Sequence, residues 1–265
     1  MLLDVLGQCN ILVETKSRFQ NHPFAVVKGD HGSLLGYQTT QELNLVKIVN
    51  SVDNCDPSKR YPNLYKGIGK LKGIMVKLHI DESVKPVVQR HRCTPFHLCD
   101  KVEAEIKKLL DEDIIEKVEG VPTPWVSAIV TPPKKDPNSI RLCVDMRAAN
   151  QAILRERHRM PTLEEIVTDL NGASVFSKID LKAGYHQLEL DPQSRYITTF
   201  STHVGLYRYK RLNFGISSAS EIFQESIRNG IPDIPGTKSI IDDVIVFGRA
   251  QVNHDTAFEA TFKRL

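Results

Sequence analysis

Two adjacent aspartates, Asp242 and Asp243, stand between Ile240-Ile241 and Val244-Ile245-Val246-Phe247. A buried apolar hairpin gains nothing from two like charges at its tip unless something neutralises them, and a divalent cation would. Taken alone, the pair is equally consistent with a solvated turn, because Asp is a favoured turn residue. A third carboxylate shifts the balance. Asp180 follows Val175-Phe176-Ser177-Lys178-Ile179 at the end of a strand-like run and precedes Leu181-Lys182-Ala183-Gly184-Tyr185. By itself Asp180 would read as a strand-end turn or an N-cap. Three carboxylates from one strand end and one neighbouring hairpin could hold two hard, oxygen-preferring cations about 3.5–4 Å apart, the arrangement used for in-line phosphoryl displacement. In that chemistry one ion lowers the pKa of an attacking hydroxyl and the other takes the charge on a leaving pyrophosphate.

The elements that must position these groups are legible in the pattern of apolar residues. Ala173 to Leu181 is strand-like, and the stretch from Ser239 to Gly248 reads as a hairpin with the aspartates at its tip. Thr162 and Glu165 form a capping box for a helix whose Leu163, Ile166 and Leu170 point inward before Gly172. Ser218 and Glu221 open a second helix carrying Ile222, Phe223 and Ile227 before Gly230. Ile197 to Phe200 and Leu206 to Tyr209 are predicted strands, while Val126 to Thr131 and Ser139 to Val144 bracket the polar turn around Asp136-Pro137-Asn138 as a hairpin would. Leu98, Val102, Ile106, Leu109 and Leu110 share one face of an amphipathic helix.

Nearer the N-terminus, Ile11 to Val13 and Phe24 to Val27 read as strands, the second followed by the turn-prone Gly29-Asp30-His31-Gly32-Ser33. Thr39-Thr40-Gln41-Glu42 opens a short helix with Leu43 and Leu45 inward. Residues 53–65 have the composition of a linker. There is no internal repeat and no low-complexity segment.

The whole chain has 265 residues, 29.9 kDa, 41% hydrophobic and 25% charged residues. This composition excludes a collagen, a coiled coil and a disordered tail. A formal charge of +3 announces no general basic field, so a nucleic-acid partner must be argued from local sites. No run approaches the roughly 20 apolar residues needed to cross a bilayer, and Met1-Leu2-Leu3-Asp4 lacks the basic start of a signal peptide. Five irregularly spaced cysteines suit free thiols in a reducing compartment. The expectation is an intracellular protein, in a cytoplasmic particle or the nucleus, with no membrane partner.

From about Lys101 to Lys263 the chain resembles the reverse transcriptase of gypsy-class long-terminal-repeat retrotransposons. The resemblance rests on Pro124-Trp125-Val126-Ser127-Ala128-Ile129-Val130, on Lys134-Lys135-Asp136, and on Arg141-Leu142-Cys143-Val144-Asp145-Met146-Arg147 with Asn150. It continues through Asp180 to Gln187, Phe214-Gly215-Ile216-Ser217-Ser218-Ala219 with Phe223-Gln224, and Asp242-Asp243 followed by His254-Asp255.

It implies an α+β fold, the fingers and palm of a right-hand polymerase, with an antiparallel palm sheet backed by helices. Asp180 and Asp242 then correspond to the metal-binding carboxylates, Asp243 to the third member nearer the primer end, and the Leu181 carbonyl to a further metal ligand. Lys134 and Arg141 match residues that grip the incoming triphosphate. Tyr185 matches the aromatic under the sugar that disfavours a 2′-hydroxyl, and Phe214 and Gly215 match the segment against the nascent base pair. The implied cofactor is Mg2+, two ions, with Mn2+ a substitute. The implied partners are an RNA or DNA template with its primer and deoxynucleoside triphosphates (dNTPs).

Departures accompany the matches. Ile240 stands where the family has an aromatic, usually Tyr, and Asn213 and Ser220 stand where Pro is common. The resemblance stops at Leu265, about twenty residues past the Asp pair, before the thumb, connection and ribonuclease H regions of such polyproteins.

Ser33-Leu34-Leu35-Gly36 with Thr39 to Leu45 resembles the end of a retropepsin-like aspartic protease, although no Asp-Thr-Gly or Asp-Ser-Gly triplet occurs. The expected organisation is a β-rich protease remnant at 1–52, a linker at 53–89, and fingers and palm at 90–265. His91, Cys93, His97 and Cys99 raise zinc, but their spacing is not that of a structural zinc site. Two rival functions remain: a non-catalytic retroelement fragment that at most binds nucleic acid weakly, and a protease-derived hydrolase, disfavoured by the missing triplet.

Overall fold

A computed structural model of the chain describes residues 5–15, 19–28, 37–43, 57–132, 140–231 and 233–265. It divides into two compact units, Met1–Arg60 and Tyr61–Leu265.

In the first unit, β1 (Val5–Glu14) and β2 (Phe19–Val27) form an antiparallel ladder containing both predicted strands. The turn expected at 29–33 lies outside the described residues. Two short helices follow, α1 (Tyr37–Glu42) and α2 (Pro57–Arg60). The helix predicted to open at Thr39 in fact ends at Glu42, with Leu43 buried just beyond it as expected; Leu45 lies outside the described residues.

The second unit starts with β3 (Met75–Val76), the long helix α3 (Phe96–Asp111), β4 (Ile115–Lys117), β5 (Ser127–Val130), β6 (Cys143–Val144) and α4 (Ala149–Ala152). There follow α5 (Leu163–Asp169), β7 (Val175–Asp180), β8 (Glu189–Leu190), β9 (Phe200–Thr202) and β10 (Gly205–Tyr209). It closes with α6 (Ala219–Gly230), β11 (Thr237–Ile240), β12 (Asp243–Gly248) and α7 (Gln251–Arg264). A mixed sheet runs in the order β4-β10-β9-β5-β6, and an antiparallel sheet in the order β11-β12-β7. This is the expected α+β architecture, with the three-stranded antiparallel sheet carrying all three aspartates. A parallel pair, β3 with β8, ties the start of the unit to its middle.

Residues from Tyr61 onward belong to this unit, which takes in most of the span 53–89 expected as a linker. Val76 and Leu78 are buried in its core, the Leu78 N–H donates to Ser194 Oγ, and the Gln89 N–H donates to the Val126 carbonyl. The core is assembled from Phe200, Phe223, Leu188, Leu190, Ile197 and Leu212, all fully buried. No helix among the described residues is long and apolar enough to cross a membrane.

Local chemistry accounts for most elements and for three departures. The Thr162–Glu165 capping box is present in both directions. Ser218 does precede α6, but its side chain makes no cap; Glu221 is drawn instead to Arg155, whose guanidinium it binds. Ile197 to Phe200 is mostly not a strand: Asp191 caps a 3₁₀ helix over Pro192–Thr198, with Pro at its first turn, and β9 begins only at Phe200. In α3, Val102, Ile106 and Leu109 are buried as the periodicity predicts, whereas Leu110 is 38% exposed.

Candidate active site

Strand β12 buries Val244, Val246 and Gly248, which leaves Asp243 facing outward with Ile245. Strand β7 alternates likewise, turning Phe176, Lys178 and Asp180 outward. The two strands pair antiparallel with Asp243 directly opposite Asp180. The Leu181 N–H donates to the Asp242 carbonyl at 2.9 Å, so Asp180 and Asp243 occupy a non-hydrogen-bonded position, where facing side chains stand closest. Like charges directly opposite destabilise a ladder. Register alone thus puts a repulsive pair on the open face.

Between β11 and β12 the chain reverses through Ile241 and Asp242. Ile241 has φ of 50°, a left-handed conformation that a β-branched residue adopts only under constraint. The constraint comes from Gln224 on α6. Its Oε1 accepts the Ile241 N–H at 2.6 Å, and its Nε2 donates to the Ser239 carbonyl and hydroxyl. Asp242 is thereby held beside Gly184, where any Cβ would lie 3.0 Å from Asp242 Oδ1 and 2.7 Å from Phe223 Cζ. Glycine is what lets the carboxylate fit.

Asp242 Oδ1 is buried without a hydrogen-bond partner. Burial, then the charges of Asp180 and Asp243, push its carboxyl above the ordinary range. Asp243 is differently placed: Lys178 Nζ sits 2.7 Å from its Oδ2. Among the described residues no three His, Cys, Asp or Glu side chains are arranged as they stand to hold a metal ion. The donors nevertheless fit a hard divalent cation, being three carboxylates of which one has an unpartnered buried oxygen.

Next to this corner, Tyr185 is buried between Phe214 and Phe223, with ring centroids at 4.6 and 5.4 Å. Its hydroxyl lies 2.8 Å from Ser220 Oγ. Phe214 is half exposed. Gly215 has φ of 99°, and a Cβ there would lie 3.2 Å from Met146 Cγ and 3.3 Å from the Val144 carbonyl oxygen. Asn150 clamps this loop, donating to the Gly215 carbonyl and accepting from the Ser217 N–H. Arg141 is exposed, with its backbone N–H on the Pro132 carbonyl; Lys134 lies outside the described residues. A cleft of about 790 Å³ between α5, α6 and β11 is lined by Arg159, Asp169, Arg228 and Lys238 and by none of the three aspartates.

Residues 132–265 match the family described as reverse transcriptase (RNA-dependent DNA polymerase). The chain belongs to the reverse transcriptase family. It is 34% identical over 193 residues to the retrovirus-related Pol polyprotein from transposon 412 of Drosophila melanogaster, covering 70% of this chain and 15% of that one. The Pol polyprotein from transposon gypsy of the same fly is 33% identical over 186 residues, 68% of this chain and 18% of that one. An uncharacterised protein of Caenorhabditis elegans is 28% identical over 280 residues, 98% of this chain and 22% of that protein. The chain therefore spans 22% or less of the length of these relatives.

Among solved structures, the prototype foamy virus protease-reverse transcriptase aligns with a TM-score of 0.71 at 18% identity, over 87% of this chain and 30% of that one. The foamy viral protein in complex with an RNA/DNA hybrid aligns with a TM-score of 0.70 at 18% identity, over 98% of this chain and 40% of that one. These likenesses establish the reverse transcriptase fold. The family generally uses divalent metals.

Several residues that shape this corner carry no clear signal in the sequence. Lys178 was visible only as a polar residue in a strand, and its contact with Asp243 follows from register. Gln224 lay in a recognised block, but its clamp on the hairpin needs the packing of α6. Ser220 stood out as a departure from Pro, and the Tyr185 hydroxyl is what it meets.

Proposed function

We propose that this chain is the fingers and palm of an RNA-directed DNA polymerase, joining dNTPs to a primer 3′-hydroxyl on an RNA or DNA template. What supports the reading is one juxtaposition: Asp180 facing Asp243 across β7 and β12, with the unpartnered buried oxygen of Asp242 at the same corner. Asp180, Asp242 and Asp243, with the Leu181 carbonyl, would hold Mg2+, two ions, or Mn2+. Those ions, when bound, supply Lewis acidity for the hydroxyl and charge neutralisation for the departing pyrophosphate.

The chain's own groups do the rest by positioning. Gln224 and Gly184 fix the corner on which Asp242 sits. Tyr185, wedged by Phe214 and Phe223 and tied to Ser220, forms the floor for a deoxyribose. Phe214 and Gly215 lie along the nascent base pair, and Arg141, with Lys134, binds the triphosphate as a planar fork beside a point charge. Residues 1–52 are assigned to a protease-derived segment and 90–265 to fingers and palm.

Primer extension by the full chain with Mg2+, beside Asp242→Asn and Asp180→Asn, tests the assignment. Metal-dependent extension abolished by both substitutions supports it. Extension by neither parent nor variants makes the chain a non-catalytic fragment, and extension that survives both overturns the roles given to these aspartates.

A further inference from the structure

Three carboxylates crowd the open end of β7 and β12, yet they are not equivalent. Asp242 has an unpartnered oxygen, and among the described residues Lys178–Asp243 is the ion pair through which a cation reaches the trio. The alternation of β7 puts Lys178 on the same outward face as Asp180, and register sets it opposite Ile245, diagonal to Asp243. That diagonal is within reach of a long side chain. Lys178 is 64% and Asp243 35% exposed, so neither is locked by packing.

We infer that Lys178 is a tethered counter-cation that competes with a divalent ion for Asp243, and so sets the cation affinity of the carboxylate trio. The inference rests on the assignment of these carboxylates to metal binding and adds a regulator to that site.

The reasons are geometric. An ammonium 2.7 Å from Oδ2 makes a charge-assisted hydrogen bond with that oxygen, whereas Mg2+ demands the same lone pairs at ~2.1 Å in near-octahedral geometry. On one oxygen the two crowd each other's approach, and two positive charges at that range repel. The third carboxylate is thus turned to a lysine on the neighbouring strand, and among the described residues no three-donor group stands ready. Its flexible stem lets the contact open without moving the backbone. Lys182 provides a control, since it is exposed two residues past Asp180 and makes no ion pair with the trio among the described contacts. Its charge acts on an arriving cation only through solvent.

The test is Mn2+ binding to the full chain, read by electron paramagnetic resonance of the free ion, with Mg2+ as competitor. Lys178→Gln tightens Mn2+ binding about fivefold, the scale of an exposed ion pair, and Lys182→Gln changes it less than twofold. Lys178→Arg stays nearer the parent than Lys178→Gln does. The double variant Lys178→Gln with Asp243→Asn binds no tighter than Asp243→Asn alone. Equal effects of Lys178→Gln and Lys182→Gln, or an undiminished Lys178 effect in the Asp243→Asn background, overturn the inference. An Asp242→Asn variant separates the two layers. If it leaves Mn2+ binding unchanged, the metal assignment fails and takes this inference with it; if it weakens binding while Lys178→Gln behaves as Lys182→Gln, the competition alone fails.

Discussion

Asp145 and Asp242 are the same side chain in opposite surroundings. Asp145 lies in the turn after β6, its side chain 6% exposed, and both oxygens are taken: Arg147 contacts Oδ1 and Oδ2 through two nitrogens, and Arg92 adds a third bond at 2.8 Å. The Arg147 guanidinium first, then Arg92, holds its carboxyl far below the ordinary range. Its carbonyl also accepts from Gln89, which in turn accepts the Ala128 N–H. Asp242 has no such partner. One aspartate is finished as a piece of structure, whereas the other is left with a valence that something else must fill.

That contrast can be broken at either end. The largest effect expected is on chemistry: Asp242→Asn lowers Mg2+-dependent primer extension by at least ~100-fold, because several kcal/mol of charge stabilisation goes with the metal. Its unfolding midpoint in urea stays level or rises. Asp145→Asn behaves the other way, costing about 2 kcal/mol of folding stability, since it strands two arginines whose exposure tempers the loss.

The pH dependence should divide in the same sense. Asp145, depressed in the folded chain, contributes stability that is present above the unfolded value of ~3.9 and lost as pH falls below it. Asp242, raised in the folded chain, contributes stability present below that value and lost as pH rises through its own, higher one. Urea titrations across this acid range therefore show a shallower acid loss in Asp145→Asn, and in Asp242→Asn the loss on raising pH disappears.

Gly184→Ala sharpens the comparison from the side. A Cβ forced against Phe223 and the free oxygen of Asp242 costs about 1–3 kcal/mol, visible in thermal melting, while leaving the Asp145 network untouched. Smallest is Ser220→Ala. Removing the partner of the Tyr185 hydroxyl costs ~1 kcal/mol of constraint, read as a several-fold loss of preference for deoxynucleotides over ribonucleotides in kcat/KM.

How much of this was legible without coordinates depends on the range of the interaction. The facing of Asp180 and Asp243 is written in the two-residue period of two strands and a tight hairpin, all short-range signals. The capping box at Thr162 is equally local, and it is present. Asp145 carries its main partner, Arg147, two residues on, a local neighbour whose pairing sequence does not announce, whereas its second partner, Arg92, stands 53 residues earlier. Ser218 and Glu221 satisfy a capping rule, yet a distant arginine outbids the backbone for that glutamate. Lys178 fell between these cases: its face was predictable, its choice of Asp243 over Asp180 was not. Lys134, central to the triphosphate grip in the sequence reading, lies outside the described residues.

Ser220 and Gln224 are one turn apart on α6, separated by roughly 6 Å of axial rise. The first meets the Tyr185 hydroxyl and the second bolts down the strained corner that carries Asp242. On the assignment proposed above, a single rigid rod therefore gauges the spacing between the aromatic floor for the sugar and the corner that would carry the metal-binding carboxylate. A displacement of that rod would move both contacts together, so loosening one would detune the other.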